Sequence, residues 1–267
     1  MTVMQSHSPD EPVLLSRVEE GVATLTLNRP RQYNALSEAL LSALGTSLDE
    51  FADRPDIRVV VIAGAGPAFC AGHDLEEMRA NPRREYYEDL FGRCARVMMR
   101  IAQLPQPVIA RVHGLATAAG CQLVAACDLA VASESARFAV SGINLGLFCS
   151  MPAVALTRNI LRKRAFEMLV TGDFINAETA MEYGLINRVA SPEGLDSTVD
   201  DLVKSILGKS AIAVEMGKRM FHEQFKHDWA AAYQYAGQVM ADNMMTDDAK
   251  RGIDDFLTRK LKRNPAG

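Results

Sequence analysis

The stretch Ile57 to Ala63 is rich in β-branched residues, runs unbroken and apolar from Val59, and ends at Gly64. A strand with one wet face alternates apolar and polar residues, whereas a run without alternation belongs to a strand covered on both faces. The chain must therefore place other layers on both sides of this strand. Upstream, Gly21 to Leu27 alternates like a half-buried strand before Asn28-Arg29-Pro30-Arg31 breaks it. From Ser37 to Phe51, the residues Leu40, Leu44, Leu48 and Phe51 fall at helical spacing and predict one inward face. A second cycle follows: a polar helical stretch from Asn81 to Ala102, a strand Val108 to Val112, a glycine and alanine turn, a helix Ala119 to Ala126, and a strand Leu129 to Ala132. A hydrophobic fraction of 48% against 23% charged residues can bury such layers, and it excludes disordered, collagen-like and coiled-coil classes.

Further along, Asn176 can cap a helix from Ala177, with Gly184 closing it before a strand Leu185 to Val189. After Pro192 strands nearly vanish, and Leu202 to Leu207, Ala211 to Phe225, Trp229 to Met245 and Ala249 to Lys262 read as helices. This predicts a β-rich core over 13–200 and a helical region over 201–267, preceded by a polar, flexible tail over 1–12. The helical region either covers one side of the core or joins subunits. Met216, Met220, Phe221, Phe225, Trp229 and Tyr233 supply apolar surface for the second role.

Charge and cysteine usage narrow the partners. A formal net charge of -4 argues against nucleic acid, whose binding needs a basic face. The longest apolar runs fall far short of the roughly 20 residues that span a bilayer, so no membrane partner is expected. Cys70, Cys94, Cys121, Cys127 and Cys149 form no CxxC pair, and the polar start lacks the apolar centre of a secretory leader. Together these predict reduced thiols and a cytoplasmic location.

Several motifs fail on inspection. Gly64-Ala65-Gly66 follows a strand, but Phe69 occupies the third glycine position of a dinucleotide fingerprint and Pro67 interrupts the turn. No Walker lysine and no GxSxG elbow occur. His222 and His227 are five apart, which turns their imidazoles to different helix faces, so no metal site is expected. Two glycine-bearing turns remain, Phe69 to Leu75 and His113 to Leu123, each following a strand. Small residues there either permit close packing or leave backbone N–H groups free to form an oxyanion hole.

Those two turns, with Asn28-Arg29-Pro30, Asn34-Ala35-Leu36, Glu167 to Asp173, Ala180 to Val189 and Gly252 to Lys260, resemble the crotonase (enoyl-CoA hydratase/isomerase) superfamily. The likeness runs from about Val13 to Lys262. It implies an α/β fold, a spiral of ββα units with a C-terminal helical oligomerisation region, and homotrimers or dimers of trimers. It also implies acyl-CoA thioester ligands, with coenzyme A arriving as part of the substrate and no other bound cofactor. Carried over by position, the oxyanion donors are the N–H groups of His73 and Ala119. Ala71, Gly72, His73, Asp74 and Leu75 would line the adenine and pantetheine path. Arg29, Arg31 and Lys260 are either phosphate contacts or ordinary surface charges.

Hydratases of the superfamily use two glutamates to add water. Their positions fall here on Gln122 and on Gly142, at the end of Phe138-Ala139-Val140-Ser141-Gly142. Neither residue can accept a proton near neutral pH, and each lost acid–base group removes about 10² to 10⁴ in rate. Efficient hydration is therefore not expected, and simple double-bond migration loses its glutamate too. Three functions remain: an acyl-CoA enzyme that stabilises an enolate without the glutamates, a malonyl-type decarboxylase using His73, and a non-catalytic acyl-CoA binder. The decarboxylase branch shares Ala71-Gly72-His73-Asp74 and a segment like Ile143-Asn144-Leu145-Gly146, but Ser141 and Cys149 replace its threonine and tyrosine. His73 acts through its imidazole or through its main chain alone. Cys149 is either a nucleophile or an inert buried thiol.

Overall fold

The computed structural model describes residues 11–263, with side chains through residue 259. Most of the tail expected over 1–12 therefore lies outside the described residues. The chain begins with a hairpin of β1 (Leu14–Glu19) and β2 (Val22–Leu27), and α1 (Glu38–Ala52) returns it to β3 (Val59–Gly64). The Ser37 side chain caps α1 by accepting the Leu40 N–H. A short β4 (Ala68–Cys70) leads to α2 (Leu75–Ala80) and α3 (Arg84–Gln103). The next turns bring β5 (Val108–Val112), β6 (Leu115–Thr117) and α4 (Ala119–Ala126), then β7 (Leu129–Ser133), β8 (Arg137–Ala139), α5 (Ser150–Asn159) and α6 (Arg162–Thr171). The β-rich part closes with β9 (Ile175–Asn176), α7 (Ala177–Tyr183) and β10 (Arg188–Ala190). Four helices follow: α8 (Leu195–Leu207), α9 (Ala211–Gln224), α10 (Trp229–Met244) and α11 (Asp247–Arg263).

Two sheets run through the molecule. The larger has the order β1-β2-β3-β5-β7-β10 and is parallel except for the hairpin; the smaller is β4-β6-β8-β9, antiparallel only between β8 and β9. Each turn lays one strand in each sheet: β3 and β4, then β5 and β6, then β7 and β8. The repeat is the expected spiral of ββα units. The unbroken apolar run explains why the large sheet is covered on both sides. Val60 and Ile62 face the main core with Leu40, Leu44 and Leu48 of α1, while Val59 and Val61 face Leu195, Val199 and Val203 of α8.

Two expectations shift. The strand expected at Leu185 to Val189 is observed as β10, Arg188–Ala190, because the Leu185 N–H is used to close α7 by donating to the Ala180 carbonyl. The boundary expected at residue 200 falls inside α8, whose buried stripe belongs to the core.

The C-terminal helices are anchored by a buried charge. Lys218 of α9 is 9% exposed, and its Nζ donates to the Asp128 carboxylate at 2.6 Å and to the carbonyls of Ile101 and Gln106 at 2.8 Å. The same carboxylate accepts the Val108 N–H at 2.7 Å and meets His222 Nε2 at 3.0 Å. Burial lowers the Lys218 pKa, and Asp128 opposes that shift. Breaking one side of a buried pair leaves an uncompensated charge, so Lys218→Ala is expected to destabilise the protein by about 3 to 5 kcal/mol in urea unfolding. A loss below about 1 kcal/mol would show that the pair is not what holds α9 down.

Candidate active site

The end of β4 and the start of α4 are pressed together as closely as backbone allows. A Cβ built on Gly120 would stand 2.0 Å from the Cys70 carbonyl oxygen, so only glycine fits. One on Gly72, whose φ is +97°, would stand 2.9 Å from the Ala118 Cβ and 3.3 Å from the Ala119 nitrogen. The segment from Ala71 to Asp74 is pinned from its other side. Ala71 N–H donates to Tyr33 O at 3.0 Å, Leu36 N–H to Gly72 O at 2.7 Å, and Asp74 N–H to Leu36 O at 3.3 Å. In such a parallel bridge the residues flanking His73 face Leu36, so the His73 N–H points away from Leu36.

Neither the His73 N–H nor the Ala119 N–H has an acceptor among the described residues. Ala119 opens α4, where unpaired N–H groups and the helix dipole favour negative charge. Ala118 reaches that position with φ 49° and ψ -119°, a left-handed backbone that is strained for a residue with a side chain. Its own N–H is held by Ala139 O at 2.9 Å. Nothing in the identity of an alanine announces this conformation, so sequence reasoning misses it.

The side chains around these amides are buried and underpaired. Gln122 is 3% exposed and its Oε1 has no partner. The His73 ring lies edge-on to Phe91 with centroids 5.4 Å apart, and its buried Nε2 is unpaired. Burial pushes the His73 pKa from its ordinary 6.5 to about 4, so the ring is neutral at pH 7. Gly142 is buried, and a Cβ there would stand 2.7 Å from both Cys149 Sγ and Leu147 O. Ser141 is half-buried beside it. Burial also raises the Cys149 thiol above its ordinary value, which suits an inert thiol rather than a nucleophile.

The charged residues divide. Arg29 is committed internally: one guanidinium nitrogen donates to Asp74 at 2.8 Å and the other to Ala35 O at 2.6 Å. Asp74 caps α2 by accepting the N–H groups of Glu76 and Glu77. Burial raises its carboxyl, but Arg29 and the two amides prevail and hold it below the ordinary range. Arg31 is exposed, as is Leu75 at the mouth of a groove formed with Met78 and Tyr87. Lys260 lies in α11, but its side chain is outside the described residues. The Asn34 carboxamide, which sequence reasoning treats only as part of a motif, ties the Arg29 N–H to the Ala65 and Ala68 carbonyls at 2.8 to 2.9 Å. Among the described residues no His, Cys, Asp and Glu cluster could hold a metal, and no helix is long and apolar enough to cross a membrane. His222 is instead a partner of Asp128.

Paired spiral sheets with C-terminal helices define a crotonase-type fold. Residues 17–264 match the enoyl-CoA hydratase/isomerase family model, and the chain belongs to that family, which binds acyl-CoA thioesters. A crystal structure of an enoyl-CoA hydratase from Mycobacterium smegmatis is 59% identical with a TM-score of 0.92, covering 93% of this chain and 97% of that one. That of human enoyl coenzyme A hydratase domain-containing protein 3 is 42% identical with a TM-score of 0.90, covering 92% and 98%. The rat enoyl-CoA hydratase domain-containing protein 3, mitochondrial, is 44% identical over 94% of this chain and 84% of its own length. That name overturns the cytoplasmic location expected above. Reduced thiols mark a reducing environment, not one compartment.

A His73 pKa held below its unfolded value means that the folded state resists protonation. Its burden on stability is absent above pH 6.5, grows as the pH falls, and is complete below about pH 4. NMR of the histidine ring is expected to show His73 titrating near pH 4, with no change between pH 6 and 8. A midpoint above 6 would place the ring in contact with water or with a negative charge.

Proposed function

We propose that this chain binds an acyl-CoA thioester with the carbonyl oxygen between the His73 and Ala119 amides. There it stabilises enolate-like charge, without efficient hydration of enoyl thioesters. The observation that carries the reading is the pair of amides, each without an acceptor and each on a segment that touches the other at Gly72. An oxyanion would supply the acceptor, and losing one such donor typically removes about 10² to 10³ in rate. Family membership supports the thioester as the ligand.

The departure from hydration rests on two positions. Gln122 cannot exchange a proton near neutral pH, and residue 142 has neither a carboxylate nor the space for one, since a Cβ there would come within 2.7 Å of both Cys149 Sγ and Leu147 O. A malonyl-type decarboxylation would bring a second carboxylate to this segment, whose bound cation, Arg29, is already paired with Asp74. The enolate-stabilising reading is therefore preferred. Assembly as a homotrimer or dimer of trimers through the C-terminal helices is supported by exposed Phe221, Phe225, Trp229, Tyr233, Met240 and Phe256.

Acyl-CoA thioesters at about 100 times their Kd are expected to raise the melting temperature by about 5 °C or more, while the free acids leave it unchanged. Equal shifts with acid and thioester would refute the reading. Hydration of crotonyl-CoA is expected to run at least about 10²-fold below that of a hydratase carrying both glutamates. Comparable turnover would show that Gln122 and Gly142 do not occupy the acid–base positions.

A further inference from the structure

A cleft of about 420 Å³ lies between α1 and α3 and shares no lining residue with the two amide segments. That volume falls in the range that holds small organic ligands. The two helices run side by side in the same direction, with Gly45 opposite Val97 and, further along, Asp49 paired with Arg100. From α3 the cleft takes Arg93, Arg96 and Arg100. Their spacing of three and four residues puts all three on one helix face, along about 10 Å of the axis. From α1 it takes the exposed Ser42 and Thr46, and the buried Leu41 and Val97 add an apolar floor.

The three arginines are not equally engaged. Arg93 pairs with Asp89 at 2.7 Å and lies 4.0 Å from Glu38, and Arg100 pairs with Asp49, all between solvent-exposed groups. Such pairs contribute little and yield to a stronger acceptor. Arg96 forms no ion pair and no side-chain hydrogen bond among the described residues, and its Nη1 would stand 3.5 Å from a Cβ built on Gly92. Gly45 is a second, independent sign. Inside a helix glycine is less favourable than alanine, yet a Cβ on Gly45 would meet only Val97 Cγ2, at an ordinary 4.0 Å. Packing does not require glycine there. What it supplies is depth in the cleft.

We propose that this cleft is a binding site for a small phosphate monoester, its phosphoryl group held by the arginines and its organic part lying on the Leu41 and Val97 floor. Three guanidiniums against the carboxylates of Asp49 and Asp89 leave one positive charge unmatched, that of Arg96. A neutral ligand would not match it, and a cation would be repelled. A guanidinium presents its N–H groups as a fork that fits two phosphate oxygens at once. A carboxylate has oxygens for one such fork, whereas a phosphoryl group has three terminal oxygens and engages neighbouring arginines together. The Ser42 and Thr46 hydroxyls are further donors on the facing wall.

Calorimetric titration of the full-length protein with phenyl phosphate, inorganic phosphate and phenol tests the site. The wild type is expected to bind phenyl phosphate with a dissociation constant of about 0.1 mM, roughly tenfold more tightly than inorganic phosphate, and phenol not at all. Arg96→Gln changes only an exposed, unpaired side chain, so the fold is kept, and it is expected to weaken phenyl phosphate about tenfold or more. Gly45→Leu fills the depth of the cleft and is expected to abolish binding. Equal affinities for phenyl phosphate and inorganic phosphate would show an adventitious anion contact only and overturn the proposal. Absence of binding by the wild type, or an affinity unchanged in Arg96→Gln, would overturn it as well, whether or not Gly45→Leu folds.

Discussion

The site depends on one backbone contact, the seating of α4 against the end of β4. Gly120 lies so near the Cys70 carbonyl that any side chain would collide with main chain, which cannot give way as a flexible side-chain tip can. That contact fixes where the first turn of α4 begins. It also brings Ala118 and Ala119 against Gly72, so the free amide of the helix lies beside the segment that carries the free amide of His73. A wider spacing would leave two ordinary loop amides open to water.

The surrounding polar network holds the second half of this arrangement in place. Asn34 is wholly buried and spends its carboxamide on three backbone groups from two different loops. Arg29, positioned by that bond, holds Asp74, and Asp74 in turn holds the start of α2. The path runs from the Asn28–Asn34 loop to the residue after His73, and every link is a hydrogen bond between groups that are at least partly buried. Charged residues that look from the sequence like candidates for a ligand phosphate thus divide by whether a local partner exists. Arg29 has one, and the exposed Arg31 has no ion-pair partner among the described residues.

Much of the frame was legible because the pattern that reveals an element is the pattern that buries it. The helix Ala119–Ala126 and the strand Val108–Val112 have the expected limits, and Asn176 and Gly184 bound α7 as their side-chain chemistry predicts. β1 escaped notice because an edge strand with mostly exposed residues carries no hydrophobic alternation. The strand pair β8 and β9 is too short to show a period. The Lys218–Asp128 anchor joins residues 90 apart, and no local pattern reports such a distance. At the site itself, the small residues were visible, but the left-handed turn at Ala118 and the filled space beside Gly142 are properties of packing.

Enolate stabilisation and acid–base transfer are separable capabilities of one pocket. The two depend on different parts of the chain. An oxyanion hole is made of main-chain N–H groups, which every residue but proline supplies, so substitutions at residues 73 and 119 preserve it wherever the backbone path is kept. Acid–base transfer needs a carboxylate at the end of a side chain, and a single substitution removes it. At Gly142 the volume a side chain would need is bounded by Cys149 Sγ and Leu147 O, each 2.7 Å from an ideal Cβ. Gln122 carries a carboxamide, whose capability near neutral pH is hydrogen bonding rather than proton transfer. On this argument the fold constrains where a thioester binds far more tightly than it constrains what is done to it.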